Sequence, residues 1–297
     1  MIEKISKHCH LEKDNVCLGI GDDAAILTTD PQKKLVITTD TLVEGIHFKN
    51  DDDAQDIGHK TLAVNLSDLA AMGVKPQWVT LNLTMPEIKS YWLEEFIKGF
   101  ATLLHRHDVV LIGGDTTQGP CSITVTAMGE APLEDIKTRQ KAQVGDLIAV
   151  TGDLGSASYA LAHPYMDQNC DKKLHKPEPR LDMIPFLQPI AKAMIDVSDG
   201  LLADLGHICL ASEVGAQVQT EQIPVSNALK TQSDWLQHAL AGGDDYELCF
   251  TLDPKHVAQL PSSCTVIGII TNSNRVEVLK NNQPIILDKF GFTHFKN

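Results

Sequence analysis

The chain has 297 residues, 43% hydrophobic and 22% charged, the composition of a globular protein with core enough for about two domains. A formal net charge of −14 excludes a nucleic-acid partner held on a basic surface. No run of about 18 apolar residues offers a membrane span, residues 1–8 lack the apolar centre of a signal peptide, and seven scattered cysteines with no Cys-x-x-Cys pair fit the reduced thiols of a cytoplasmic protein.

Residues 1–18 read as a short helix and a connector. Gly19-Ile20-Gly21-Asp22-Asp23 is a first acidic turn, followed by the apolar run 24–27. Residues 35–39 read as a strand that Asp40 ends, and His47 comes later in Gly45-Ile46-His47-Phe48. By pattern alone, a lone histidine there is a surface or packing residue. Asp51, Asp52, Asp53 and Asp56 mark a helix start, and the helix runs over residues 56–72 to a stop at Gly73 and Pro76. Within it Asn65 and Asp68 share a face, turned either to solvent or into an acidic site.

Residues 79–84 alternate as a strand, and Thr84-Met85-Pro86-Glu87 resembles a capping box. Leu93, Phe96, Ile97, Phe100, Leu103 and Leu104 form the buried stripe of a second long helix. Residues 109–112 read as a buried strand stopping at Gly113-Gly114-Asp115-Thr116-Thr117, and residues 122–128 as another. The first half is thus an α+β, ferredoxin-like pattern, and the polar stretch 131–143 marks a domain boundary.

The second half opens with a buried strand within 145–152 and a short helix from Leu154-Gly155-Ser156. Residues 163–180 read as an exposed polar loop. Residues 193–196 form a strand leading into a helix capped by Ser198 or Asp199, with Leu201, Leu202, Leu205, Ile208 and Cys209 buried and Gly215 at its end. Gly242-Gly243-Asp244-Asp245 is a further acidic turn before a strand at 246–251, and the tail alternates strands and turns to Phe292 and Phe295.

Any one Gly-Asp turn is ordinary turn chemistry, and Asp199 at a helix start has a structural reason that Asp196 lacks. Repeated along the chain, these turns point to a shared site for divalent metals bridging phosphates. Glycine beside the carboxylate lets an anion approach the backbone. The chain has no Walker A loop, no protein-kinase catalytic loop and no Gly-x-Ser-x-Gly elbow. Phosphate charge then has to be met mainly by metal, with several aspartates holding more than one Mg2+ against a nucleotide triphosphate and a second anion.

The motifs at 19–23, 38–43, 45–48, 65–73, 113–117, 196–201 and 245–248 resemble, in order and nearly end to end, those of the thiamine-monophosphate kinase family. Its superfamily includes aminoimidazole ribonucleotide synthetase, selenophosphate synthetase and a hydrogenase-maturation protein. The resemblance implies an α+β protein of two domains. Residues 1–135 would be a ferredoxin-like ATP/Mg-binding domain that pairs with a second copy into a dimeric β-barrel, and residues 136–297 an α+β domain completing the active site. It implies a homodimer that phosphorylates thiamine monophosphate to thiamine diphosphate with ATP.

Carried over residue by residue, the resemblance assigns Mg2+ to Asp23, Thr38, Thr39, Asp40, Asp68, Asp115, Asp196 and Asp199. It assigns ATP contacts to Gly114, Asp115, Arg139 and Ser198, and substrate contacts to His47, Asp244 and Phe292. Asp23, Asp115 and Asp199 act by positioning, with no acid or base required. Asp244 stands where family members often have Glu, and the loop at 176–180 has fewer arginines than is usual there. The alternatives are another ATP-dependent member of the superfamily with a different acceptor, and a non-catalytic nucleotide-binding homologue.

Overall fold

A computed structural model of the chain describes residues 2–287 and 290–292. The chain divides into two compact units, residues 1–69 with 74–136, and residues 70–73 with 137–297.

The first unit begins with α1 (Ile2–His8) and an antiparallel ribbon of β1 (Val16–Leu18) and β2 (Ile26–Leu27). Then follow β3 (Lys34–Val43), α2 (Ala54–Ala71), β4 (Pro76–Met85), α3 (Ser90–Arg106), β5 (Val110–Gln118) and β6 (Ser122–Ala131). The strands lie in the order β3-β6-β4-β5; β4 and β5 are parallel and the other pairs antiparallel. A parallel pair needs a long crossover, which α3 supplies. The buried stripe expected on α3 is present: Leu93, Phe96, Ile97, Phe100, Leu103 and Leu104 are all buried. Trp92, Phe96 and Phe100 stack at 5.2 and 6.0 Å. Asp53 caps α2, accepting the backbone N–H of Gln55 at 2.8 Å, as its acidic start foretold.

Three details depart from the sequence reading. Strand β3 continues through Asp40 to Val43, and β5 continues through Gly113-Gly114-Asp115 to Gln118. Pairing with β6 and β4 carries the chain past residues of poor strand propensity. There is no capping box at residues 84–87: β4 holds the chain to Met85, and α3 starts at Ser90 without a side-chain cap.

The second unit contains β7 (Leu147–Thr151), α4 (Ser156–Ala162), α5 (Gln168–His175), α6 (Ile184–Leu187), β8 (Ala191–Asp196), α7 (Leu201–Ser212) and β9 (Gly215–Gln219). It continues with α8 (Asn227–Lys230), α9 (Trp235–Ala241), β10 (Leu248–Leu252), β11 (Cys264–Thr271), β12 (Val276–Lys280) and β13 (Gln283–Ile285). Its sheet runs β13-β12-β9-β11-β7-β10-β8, with only β12 and β9 parallel. Leu201, Leu205 and Ile208 of α7 share a core with Ile148, Val150, Val218 and Ile267.

The stretch at 163–180 is not an exposed loop. It holds α5, capped by Asp167 and burying Cys170 and Leu174; Pro177 and Pro179 are buried too. Its polar composition masks two apolar positions four apart, Cys170 and Leu174, which give the helix a buried face. Helix α7 ends not at Gly215 but at Glu213 in the left-handed conformation (φ 56°), and Gly215 opens β9. Phe295 lies outside the described residues.

Candidate active site

Within the first unit, α2 and β3 bring four polar side chains together. Asn65 is fully buried. Its side-chain oxygen accepts the backbone N–H of Asp40 at 3.0 Å, and its amide donates to the Thr61 carbonyl at 3.1 Å. One turn on, Asp68 accepts the Thr38 hydroxyl at 2.5 Å. The face shared by Asn65 and Asp68 is therefore turned to β3, not to solvent. Thr38 and Asp40 alternate with Thr39, whose hydroxyl donates to the Val125 carbonyl at 3.0 Å. Strand alternation thus sends Thr39 to the other face of the sheet.

Asp115 sits on β5 beside Asn82 of β4, whose side-chain oxygen accepts the Asp115 N–H at 2.9 Å. Its own carboxylate accepts the Thr116 N–H at 2.7 Å. The two glycines before it have different reasons. A Cβ on Gly114 (φ +144°) would lie 1.9 Å from the Leu81 carbonyl oxygen, so glycine is needed there for close packing against β4. A Cβ on Gly113 would meet nothing within 4 Å, so only Gly113 keeps open space beside the backbone.

The register aligns Asp40, Val125, Leu81 and Gly114 in one row across the sheet. At about 4.8 Å between strands, the Asp40 and Asp115 backbones are roughly 14 Å apart. Asp40 with Asp68, and Asp115 with Asn82, are consequently two separate polar groups in this unit. Asp23 is exposed in the N-terminal turn, its N–H donating to Asp22 at 2.9 Å. His47 is half-buried and its Nδ1 accepts the Val43 N–H at 3.0 Å.

In the second unit, one segment gathers Asp196, Ser198, Asp199, Asp244 and Phe292. Asp196 ends β8 and is buried. The Ser198 carbonyl accepts the Asp244 N–H at 2.9 Å, and the Asp199 carbonyl accepts the Phe292 N–H at 2.9 Å. Asp244 adopts φ 67°, and its carboxylate accepts the Tyr246 hydroxyl at 3.0 Å. The Phe292 side chain is exposed.

The helix start behind Asp199 is not capped by Ser198 or Asp199. Asp204, inside the first turn of α7, reaches back and accepts the N–H groups of Ser198, Asp199 and Gly200 at 3.0, 3.1 and 3.1 Å. Burial and then the Asp199 charge push its carboxyl up to about 7, against the opposite pull of those three donors. Arg139 is exposed on a 3-10 turn, and its carbonyl accepts the Ser212 hydroxyl at 2.7 Å.

A second carboxylate pair lies in the following turn. Glu247 is buried, accepts the Thr151 hydroxyl at 2.6 Å and faces Arg180 at 3.2 Å and Lys173 at 3.4 Å. Asp245 accepts the Gly155 N–H at 2.7 Å, and burial pushes its carboxyl up to about 8.

Two family models match the chain: AIR synthase related protein, N-terminal domain, over residues 21–131, and the C-terminal domain of the same family over residues 143–281. The thiamine-monophosphate kinase of Buchnera aphidicola from Schizaphis graminum is 41% identical, over 99% of this chain and 98% of its own. That of Escherichia coli K12 is also 41% identical, over 95% and 93%. This chain belongs to the thiamine-monophosphate kinase family.

Solved structures agree with that membership. The thiamine-monophosphate kinase of Stenotrophomonas maltophilia K279a is 43% identical, with a TM-score of 0.85 over 93% of this chain and 94% of that one. AaThiL, complexed with AMPPCP and TMP, is 29% identical, with a TM-score of 0.80 over 99% and 96%. The hydrogenase-maturation protein HypE of E. coli, 17% identical with a TM-score of 0.78, shares the fold. The residues missed in the sequence are supports: Asn82 and Asp204, which hold the backbone at Asp115 and Asp199, while Asn65, whose direction the sequence left open, holds that at Asp40. Asp204 had a visible signal, an acid in the first helical turn, four residues after Gly200.

Proposed function

We propose that this chain transfers the γ-phosphoryl group of ATP to the phosphate of thiamine monophosphate, giving ADP and thiamine diphosphate. The observation that carries the reading is the likeness, along nearly the whole chain, to AaThiL in complex with AMPPCP and TMP, together with 41% identity to named thiamine-monophosphate kinases.

The donor set fits Mg2+. Asp23, Asp40, Asp68, Asp115, Asp196 and Asp199 offer carboxylates, Thr38 a hydroxyl or carbonyl oxygen, and Thr39, whose hydroxyl is turned to the other face, a carbonyl oxygen, all of them the hard ligands that Mg2+ takes. The distance between the Asp40 and Asp115 strands favours several ions over one. Bound Mg2+ supplies charge neutralisation between the two polyanions. Gly114, Asp115, Arg139 and Ser198 meet the nucleotide. His47 and Asp244 meet thiamine monophosphate, and the exposed Phe292 ring is available to stack on an aromatic part of it. The Tyr246 hydroxyl fixes the shorter Asp244 carboxylate in direction.

The acceptor phosphate, with a second pKa of about 6, is already largely ionised at neutral pH. Positioning by Asp23, Asp115 and Asp199 then suffices without a general base, and transfer is direct and in line. Protein labelled covalently by γ-labelled ATP would overturn the direct route.

The first unit carries the ATP/Mg and dimerisation roles, and the second carries Arg139, Ser198, Asp244 and Phe292, assigned to nucleotide and substrate. A homodimer is supported by the open face of the four-stranded sheet, where Leu35, Ile37, Thr39 and Thr41 of β3 are exposed. Its barrel would join two such faces from two copies. Among the described residues no helix can cross a membrane, and all seven cysteines are free, which supports a cytoplasmic enzyme.

The deciding experiment incubates the protein with ATP, Mg2+ and thiamine monophosphate, with free thiamine in parallel, and measures ADP and thiamine diphosphate. Turnover of the monophosphate alone is expected. ATP binding without turnover would favour a non-catalytic homologue, and turnover only with another phosphate acceptor would favour a different activity in the superfamily.

A further inference from the structure

We propose that His163, Asp234 and His238, on the outer side of α4 and α9, form a binding site for a borderline divalent metal, with Zn2+ as its natural occupant. His163 follows the last residue of α4, Asp234 immediately precedes α9, and His238 lies one helical turn into it. Ligand atoms of the three side chains lie within 4.8 Å of one another. None of them belongs to the carboxylate groups described above. Two imidazoles with one carboxylate are a donor set for zinc and its neighbours, not for Mg2+, which prefers oxygen alone.

The orientation of His238 is the second argument. Its Nδ1 lies 2.9 Å from the Ser158 hydroxyl, and its Nε2 lies 3.4 Å from an Asp234 carboxylate oxygen. Metal-binding histidines characteristically hold the second ring nitrogen against a neighbour in this way, which leaves the other lone pair free for the ion. A charge-assisted bond between imidazole and carboxylate would be drawn in to about 2.7–2.9 Å. At 3.4 Å the pair is looser than that, and the three ligand atoms, within 4.8 Å of one another, would draw in around an ion.

The site also has a wall. The Tyr159 ring is buried, packs 5.0 Å from His163 and meets His238 edge-on at 5.9 Å, while the two imidazoles lie 6.3 Å apart. His163 and Asp234 are exposed, so an ion has open access and positions left for water. An ion held there ties α4 to α9. The amide of Gly242, at the end of α9, is bonded to the His238 carbonyl at 3.0 Å and begins the turn that carries Asp244.

The test is calorimetric titration of the full-length protein with Zn2+ in excess Mg2+, which saturates the oxygen-only sites. One Zn2+ per chain is expected, abolished in His163→Ala and in His238→Ala, and weakened about 10-fold in Ser158→Ala. Cu2+ used as a spectroscopic probe should show nitrogen coupling from two imidazoles in the wild type and from one in His163→Ala. His163 is a surface residue, so that variant keeps its fold, and circular dichroism checks this. No Zn2+ uptake, or uptake unchanged in the two histidine variants, would overturn the site and leave only a His–Asp surface pair.

Discussion

The side-chain oxygen of Asn65 on α2 accepts the backbone N–H of Asp40 on β3 at 3.0 Å, and Asn65 has no exposed surface. A buried amide thus fixes the strand backbone that carries a candidate metal ligand. Asn65→Ala leaves the Asp40 N–H and the Thr61 carbonyl without this partner. A loss of about 1–3 kcal/mol of stability is expected in urea unfolding. If Asp40 holds Mg2+, half-saturation by Mg2+ should rise roughly 10-fold in turnover assays.

Asp115 is exposed, and its backbone is held by Asn82 independently of its carboxylate. Asp115→Asn keeps an oxygen to accept the Thr116 N–H but removes the charge. Turnover should fall by about 100-fold or more with little change in melting temperature. Unchanged turnover would remove Asp115 from the catalytic set.

The two glycines before Asp115 separate folding from function. Gly114→Ala drives a methyl into the Leu81 carbonyl and should cost at least about 1–3 kcal/mol, read as a fall in thermal midpoint. Gly113→Ala meets open space and should fold normally. If an anion approaches the backbone there, that variant should show a raised KM for ATP.

The Asp245 carboxyl is raised to about 8, from an ordinary value near 3.8, chiefly by burial. The folded chain therefore holds a proton that the unfolded chain releases between those values. This contribution to stability is complete below about pH 4 and is lost as pH rises through about 8. The isosteric variant Asp245→Asn should lack that decline. Urea midpoints of both proteins between pH 5 and 9 would show it, and parallel curves would refute it.

Ile37 is 56% exposed in the middle of β3. If this face joins a second copy, Ile37→Lys should yield a monomer in sedimentation, with the first unit still folded by circular dichroism. A wild-type monomer would exclude the barrel.

The helices of the first unit were legible because their signals are local: Asp53 at a start, and Leu93 to Leu104 at a period of 3.6. Strand limits were not. Asp40 and Gly113-Gly114-Asp115 look like stops until β6 and β4 are seen to pair with them. The acidic turns were visible as motifs, yet the residues that orient them lie far off in sequence. Asn82 is remote from Asp115, and nothing local tells that its oxygen faces that amide. The sequence leaves the direction of Asn65 open, since a helix face is assigned to solvent or core only by what packs on it.

The strand order of the first unit also bears on how the chain is made. Central strand β6 is the last to emerge in synthesis, yet it lies between β3 and β4, and its final residue Ala131 pairs with Lys34 at the start of β3. Until residue 131 has left the ribosome, β3 has no neighbour on its β6 side and the unit cannot close. The nascent chain therefore carries an unpaired, partly apolar strand through most of this unit's synthesis, the condition in which chaperone binding and aggregation compete with folding.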